Sequence, residues 1–414
     1  VRLYRQKASI MTQTILVDSN STSALTPAPA PWSAVAAIGV GAFALVTAEF
    51  LPVGLLPQIA NDLAITQGQT GLMITIPGVV AACSALLTIG LTNAFDRRHV
   101  LWVLLSLLVV SNSLIACANG LPVLLLGRVV LGIAVGGFWT IGVSLGARLR
   151  PDAVGKATSI VFSGVTLGTV AGVPAGTMLG ALFGWRMSFA VSAVLAALLV
   201  VALVRLLPVI RPEPSSGLKH VPSVLKLPNV QLGLVAVALI FTGQFCAYTY
   251  VAAYLGEVSG VEPSALSALL LTYGIAGILG NLFCGWWVGR NLRRAVLSTS
   301  LVLGCSMLLL AALGKNPAVA TFAVVLWGFG FGMLPIAIQS WIFNAAPNHL
   351  ESAAALFVSM GQLFMGAGAL IGGITVDNYG LTSAVWVGAA GALCGSLWII
   401  ARFSRGTLVS LTQP

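Results

Sequence analysis

The chain has 414 residues, 58% of them hydrophobic and 7% charged, with a net charge of +10 and a mean hydropathy of +1.01. A soluble domain carries about 25% charged residues, so this composition excludes a water-soluble globule and requires a membrane. Ten acidic residues and three histidines are too few to cover the surface of a globule of this length.

Residues 1–31 are rich in Ser, Thr, Ala and Pro and read as a disordered cytoplasmic tail, with Met11 a candidate start. No signal peptide is expected, because the first apolar run follows this polar tail and is too long for a cleaved segment. Windows of about 20 apolar residues mark twelve spans. The first, 32–56, contains Glu49; the second and third, 70–92 and 100–119, flank the basic pair Arg97-Arg98. The fourth, 122–148, carries Arg128, Gly132 and Gly136, followed by Phe138, Trp139 and Thr140. In the fifth, 157–180, Gly164, Gly168, Gly172 and Gly176 begin a four-residue recurrence that runs on to Gly184, with Pro174 inside it. Four residues advance about 400°, so the stripe winds by about 40° per step. Such a groove without side chains admits a partner helix closely, and Pro174 is the expected bend. The sixth span, 187–207, leads into 208–229, whose prolines and basic residues suit a cytoplasmic linker.

The second half comprises 230–254 (with Gln244, Tyr248, Thr249 and Tyr250), 264–289 (Asn281), 295–313, 318–343 (Trp327, Gln339, Trp341), 353–376 (Gln362) and 382–403, then a tail at 404–414. It repeats the first half at a constant offset of 196 residues. Gly78 answers to Gly274, Arg97-Arg98 to Arg293-Arg294, Gly132 and Gly136 to Gly328 and Gly332, and Pro151 to Pro347. Gly172, Gly176 and Gly184 answer to Gly368, Gly372 and Gly380. Parallel repeats of six spans predict an all-α membrane protein of two pseudo-symmetric six-helix bundles, 32–207 and 230–403, with a solute site between them. With both termini in the cytoplasm, seventeen of the twenty Lys and Arg fall in cytoplasmic stretches, the bias expected for an even span count. The positive charge therefore reports topology, and nucleic acid is not an expected partner.

Glu49 and Arg128 are the charges left inside the spans. Each costs about 2.5–3.5 kcal/mol to insert, and both fall roughly 10 Å below the outer boundary. They can pair as a proton site; the alternatives are a permanent ion pair or an Arg128 bonded to backbone carbonyls. The rings, amides and hydroxyls of Phe138, Trp139, Gln244, Tyr248, Tyr250, Asn281, Gln339 and Gln362 suit a flat, neutral solute bearing many hydroxyls. Interfacial anchoring is the competing account for Trp and Tyr near span ends, strongest for Tyr254 and Trp341. Gly328-x-Gly330-x-Gly332 is not preceded by a strand, so helix packing explains it better than a nucleotide loop. The six cysteines sit within spans at no paired spacing, and neither metal, disulfide nor cofactor is expected.

At these residues the chain resembles the major facilitator superfamily. Arg128-x-x-x-Gly132-x-x-x-Gly136 is similar to that family's Arg-containing motif, linked there to proton coupling. Gly164-x-x-x-Gly168-x-x-x-Gly172-Val173-Pro174-Ala175-Gly176 resembles the motif that marks exporters. Leu91-Thr92-Asn93-Ala94-Phe95-Asp96-Arg97-Arg98 resembles the gating loop between spans two and three, with Asn93 where Asp is usual and Asp96 where Gly is usual; Arg293-Arg294 end its second copy. Within the drug:proton antiporter branch, Glu49-Phe-Leu-Pro-Val53, Gly136-Gly-Phe-Trp139 and Gly243-Gln-Phe245 are similar to purine ribonucleoside exporters. The resemblance implies export of inosine or guanosine against protons by alternating access, in a bacterial inner membrane, with one chain as the functional unit. It places conformational roles on Asp96, Arg97, Arg98, Gly132, Gly136, Gly168, Gly172, Pro174, Gly176, Arg293 and Arg294. Competing readings are a sugar or hydrophobic-drug exporter, a passive uniporter, and a non-transporting membrane sensor, which should carry a soluble output domain. An enzyme is not expected, because no His, Cys or carboxylate pair converges in the spans.

Overall fold

A computed structural model describes residues 30–92, 95–210 and 221–404. The tail before residue 30, Met11, Asn93, the middle of the 208–229 linker and the tail after Ser404 lie outside the described residues. Among the described residues, twelve helices are long and apolar enough to cross a membrane. Helices are the expected solution for such segments, because lipid offers no partner to backbone N–H and C=O groups.

The spans begin where the sequence supplies a start signal. Helix α1 covers Trp32–Leu63 and α2 Gln67–Leu91. Helix α2 opens on a capping box, Thr66 accepting from the Gln69 amide while Gln69 accepts from that of Thr66. In α3 (Arg97–Ala116) the Asp96 carboxylate caps the Arg98 amide. Helices α4 (Leu121–Leu149) and α5 (Val154–Leu167) follow. A π-helical turn, Gly168–Gly172, joins α5 to α6 (Val173–Phe183), and α7 spans Trp185–Leu206. The predicted bend is this π turn, and Pro174 has no N–H to return to the preceding turn. A short helix in the linker, α8 (Val221–Leu225), buries Val224 against α9 and α14.

In the second half, α9 (Pro228–Tyr248) stops short and α10 (Val251–Glu257) resumes, so the predicted span 230–254 is two helices. The break has a local cause. Thr249 returns its hydroxyl to the Phe245 carbonyl, and the Tyr250 amide bonds three residues back to Ala247. Helices α11 (Pro263–Val288), α12 (Leu292–Leu313), α13 (Pro317–Ala345), α14 (Leu350–Tyr379) and α15 (Leu381–Ser404) complete the fold. Pro228, Pro263 and Pro317 start their helices where a missing N–H costs nothing. Gly184 and Gly380, equivalent in the repeat, turn the chain at φ +86° and +82°. A side chain at either would meet open space, so the positive φ selects glycine there.

Packing reproduces the repeat. In the first half α2 lies on α4, α3 on α4 and α7, and α1 on α5 and α7. In the second half α11 lies on α13, α12 on α13 and α15, and α9 on α14 and α15. The two bundles meet through α2 against α14 and through the π turn and α6 against α11, contacts that the repeat also relates. The fifth-span glycines all face α1. A Cβ at Gly168 would stand 3.1 Å from that of Val46, one at Gly176 would stand 2.5 Å from Leu51 Cδ1, and one at Gly164 would run into the backbone of Gly39.

The helix ends define two poles: a basic end, carrying Arg97-Arg98, Arg150 and Arg293-Arg294, and a distal end opposite. At the distal end the bundles are joined. Thr66 donates its hydroxyl to Asp377 at 2.7 Å, the Gly68 amide donates to the same carboxylate at 3.0 Å, and Gln67 donates to Glu257 at 2.5 Å. Within the first bundle Asp62 accepts from Arg186 and Trp185, tying two distal turns together. At the basic end Asp96 accepts from the Ile210 amide and pairs with Arg98 at 3.0 Å, while the Arg97 amide donates to Ile210. Asp96 thus pins the chain leaving the sixth span. Arg97 reaches the Thr92 carbonyl and hydroxyl. Asn291 caps the Arg294 amide at the equivalent position of the second bundle. Arg150 chelates Asp152, and that guanidinium holds the Asp152 carboxyl below the usual carboxylate range.

Candidate functional site

Side chains of α1 meet those of α9 and α14 across the bundle interface. Glu49 is buried, 2% exposed, on α1. It shares a side-chain hydrogen bond with Gln362 of α14, so a carboxyl of one bundle is held by an amide of the other. Arg128 on α4 is the charge that acts on Glu49. Its Nη1 donates to the Ala48 carbonyl at 2.8 Å, and its Nε and Nη2 have no hydrogen-bond partner. Arg128 is thus bonded to the backbone while it also lies within electrostatic reach of Glu49. The guanidinium lies 5.5 Å from the Phe189 ring and acts on Glu49 as a fixed neighbouring cation.

Beside this polar group stands a wall of rings. Gln244 is fully buried; its Oε1 accepts from Trp327 Nε1 at 2.6 Å and its Nε2 donates to the Tyr273 hydroxyl at 3.2 Å. Those two bonds fix the amide's orientation and use both of its ends. Tyr273 stacks on Tyr248 at 5.2 Å between centroids, and Phe331 stacks on both. Tyr248 meets Phe245 edge-on. Phe50, next to Glu49 on α1, stacks on Phe245 at 5.9 Å and 14° and meets Tyr248 edge-on. Two buried polar atoms of this group have no hydrogen-bond partner: Glu49 Oε1 and Gln362 Oε1. Such groups cost about 1–3 kcal/mol when left unmade, which suits a place where a ligand completes them.

The proposed solute contacts divide accordingly. Gln244, Tyr248 and Gln362 belong to this group. Phe138 does not: its buried ring fills the first bundle's interior over Gly41 and Gly142, with Trp139 half-buried beside it. Tyr250 sits toward the distal end, where its hydroxyl donates to the Ala369 carbonyl at 3.0 Å and its ring tip fills the space over Gly71. Asn281 is exposed on α11, and Gln339 is half-buried on α13. Gly132 and Gly136 pack against Pro77, Val80 and Ala81 of α2. The sequence reading missed Phe50, Tyr273 and Phe331. The repeat held one signal: Glu49 and Phe245 are 196 residues apart, so they occupy equivalent places in the two bundles.

The Major Facilitator Superfamily profile matches residues 38–369 and 234–410. The chain belongs to that superfamily. It is 35% identical over 382 residues to the purine ribonucleoside efflux pump NepI of Salmonella paratyphi A, covering 92% of this chain and 95% of the pump. The pump of the same name from Salmonella typhimurium matches equally. Among solved structures, the nucleoside transporter NupG superposes with a TM-score of 0.75 at 15% identity, over 89% of this chain and 99% of NupG. The human organic anion transporter MFSD10 gives 0.68 at 16%, over 89% and 99%. At such identities the structural likeness speaks for the fold alone. With this membership and its twelve apolar helices, the chain is a multi-pass membrane transporter of a small solute and not an enzyme.

Proposed function

We propose that the protein exports purine ribonucleosides such as inosine and guanosine in exchange for protons, by alternating access in a bacterial inner membrane with both termini cytoplasmic. The observation that carries the reading is the Glu49–Gln362 hydrogen bond across the bundle interface, beside Arg128. A carboxyl whose partner belongs to the other bundle feels any relative movement of the two. Protonation and bundle rearrangement are thereby linked, because a charged and a neutral carboxyl ask different things of the amide and of the guanidinium. With the termini inside, the joined distal end faces outward, and in this reading solute and proton exchange with the cytoplasm by way of the basic end. In this state Glu49 releases its proton inward and the solute loads. Rearrangement then carries the solute outward and re-exposes Glu49 to external protons. One proton carries about 2.3 kcal/mol per 100 mV and about 1.4 per pH unit. For one-to-one exchange with a neutral solute, both together sustain a gradient of several hundredfold. Asp96, Arg97, Arg98, Arg293 and Arg294 act at the basic end as the conformational set, and one chain suffices.

Export to the outside corresponds to uptake into everted vesicles. Radiolabelled inosine should accumulate when the vesicle interior is acidic, should be competed by guanosine, and should be lost with a protonophore. Inosine flux unaffected by the protonophore would leave a uniporter. Absence of inosine uptake, with folded protein in the vesicles, would move the solute to a sugar or a hydrophobic drug.

A further inference from the structure

We propose that Phe50 and Phe245 form the subsite for the solute's base, which enters between two rings belonging to opposite bundles. The inference rests on the purine-nucleoside reading of the site. The rings are nearly parallel, 5.9 Å between centroids at 14°, and Phe50 is half-buried where Phe245 is buried. Other stacked pairs of the ring wall, Tyr248 with Tyr273 and with Phe331, lie wholly within the second bundle. Tyr273 is moreover bonded to Gln244, which is bonded to Trp327. Inserting a base there would strain that chain of hydrogen bonds and would move nothing between bundles. Neither phenylalanine ring carries a hydrogen bond, so parting them breaks none of their own. An aromatic layer needs about 3.5 Å on each face, so the two rings must stand roughly 7 Å apart around a base. The widening falls across the bundle interface, so binding energy is applied to the motion that transport requires.

The unpartnered Gln362 Oε1, held beside Glu49, gives the ligand its chemistry: it accepts. It fits an N–H on the edge of a neutral heteroaromatic. A ribose alone would satisfy that acceptor but would leave the ring faces unused.

The test is the initial rate of inosine uptake by everted vesicles holding the wild type, Phe50→Leu, Phe245→Leu or Phe50→Trp, matched for membrane-inserted protein. Loss of either ring should raise the inosine KM about tenfold, equivalent to about 1.4 kcal/mol and within the range of one base stacking on one ring. Maximal rate and protonophore sensitivity should change little, and Phe50→Trp should keep KM within about threefold of wild type. Should a leucine variant fail to insert, competition on the wild type reads the same point. Hypoxanthine should inhibit inosine transport, and ribose should not. Unchanged KM in both leucine variants, or ribose competing as well as hypoxanthine, would overturn the ring pair while leaving the exporter reading intact. A wild type that moves no inosine would instead defeat the solute assignment.

Discussion

Asp377 is the residue whose removal should most simply change how the two bundles sit. Its carboxylate, at the distal end of α14, takes the Thr66 hydroxyl at 2.7 Å and the Gly68 amide at 3.0 Å. Gly68 lies in the first turn of α2, so the carboxylate also meets the positive end of that helix. Both bonds are charge-assisted, but the Thr66 bond is exposed and the Gly68 bond only part-buried. About 1 kcal/mol for each is therefore a fair figure, at the low end for hydrogen bonds to charged groups. Asp377→Ala should shift the equilibrium from distal-closed toward distal-open by about 2 kcal/mol, or roughly thirtyfold. Asp377→Asn keeps an acceptor for one bond and should shift it less. Spin labels at Asn61 and Lys315, both exposed near the distal end of opposite bundles, would report the separation by double electron–electron resonance. The six native cysteines would first be replaced. A distance distribution identical in wild type and Asp377→Ala, in lipid at the same pH, would refute the assignment of this contact as a latch.

Other predictions follow from the interior. Glu49→Gln should retain inosine binding and lose the dependence of transport on the proton gradient; gradient-driven accumulation in that variant would remove Glu49 from the proton pathway. Gln244→Leu strands Trp327 Nε1 and the Tyr273 hydroxyl, each costing about 1–3 kcal/mol, and should lower the melting temperature in detergent. Adding Trp327→Phe should recover part of that loss, and a purely additive double variant would count against the bond. Gly164→Ala places a methyl in the backbone of Gly39 and should destabilise by at least about 1–3 kcal/mol. Gly256→Ala, in helix α10 with open space around it, should be neutral or stabilising by up to about 1 kcal/mol; equal effects at the two glycines would refute the packing argument.

Much of this architecture was legible because the membrane imposes one-dimensional rules. Apolar run length gave the spans, and the offset of 196 residues related their packing. The four-residue glycine stripe pointed to a close helix partner but could not say which; that it is α1 depends on where the helices cross. The division of the seventh span was not legible, since Thr249 and Tyr250 break the helix through local hydrogen bonds that leave hydropathy unchanged. For the site, an intramembrane charge announces itself by its cost, so Glu49 and Arg128 stood out. Phe50 and Phe331 did not, because a phenylalanine in lipid and one in a solute cavity have the same hydropathy. Phe138 shows the converse: its ring read as a solute contact, and in the structure it fills the first bundle's interior over Gly41 and Gly142.

The two bundles solve one structural problem with different chemistry. In the first, the first and fourth spans are tied where Arg128 donates to the Ala48 carbonyl. In the second, the seventh and tenth are tied where Trp327 donates to Gln244, and Gln244 is the repeat equivalent of Ala48. The tie is thus kept at one level in both halves, with a charged donor in one and a neutral donor in the other. One residue further along, the equivalent positions are Glu49 and Phe245, a carboxyl facing a ring. Such divergence about a shared frame separates the tasks: the first bundle holds a group that can change charge, and the second holds aromatic faces that cannot. In the proposed exchange of solute for proton, a solute between them would touch both at once. Converting Phe245 to a carboxylate should add a second titrating group rather than duplicate the solute surface. Phe245→Glu should therefore weaken inosine affinity in the same vesicle assay while steepening the dependence of transport on pH. Unchanged pH dependence in a folded Phe245→Glu protein would argue that position, and not residue chemistry, assigns the two roles.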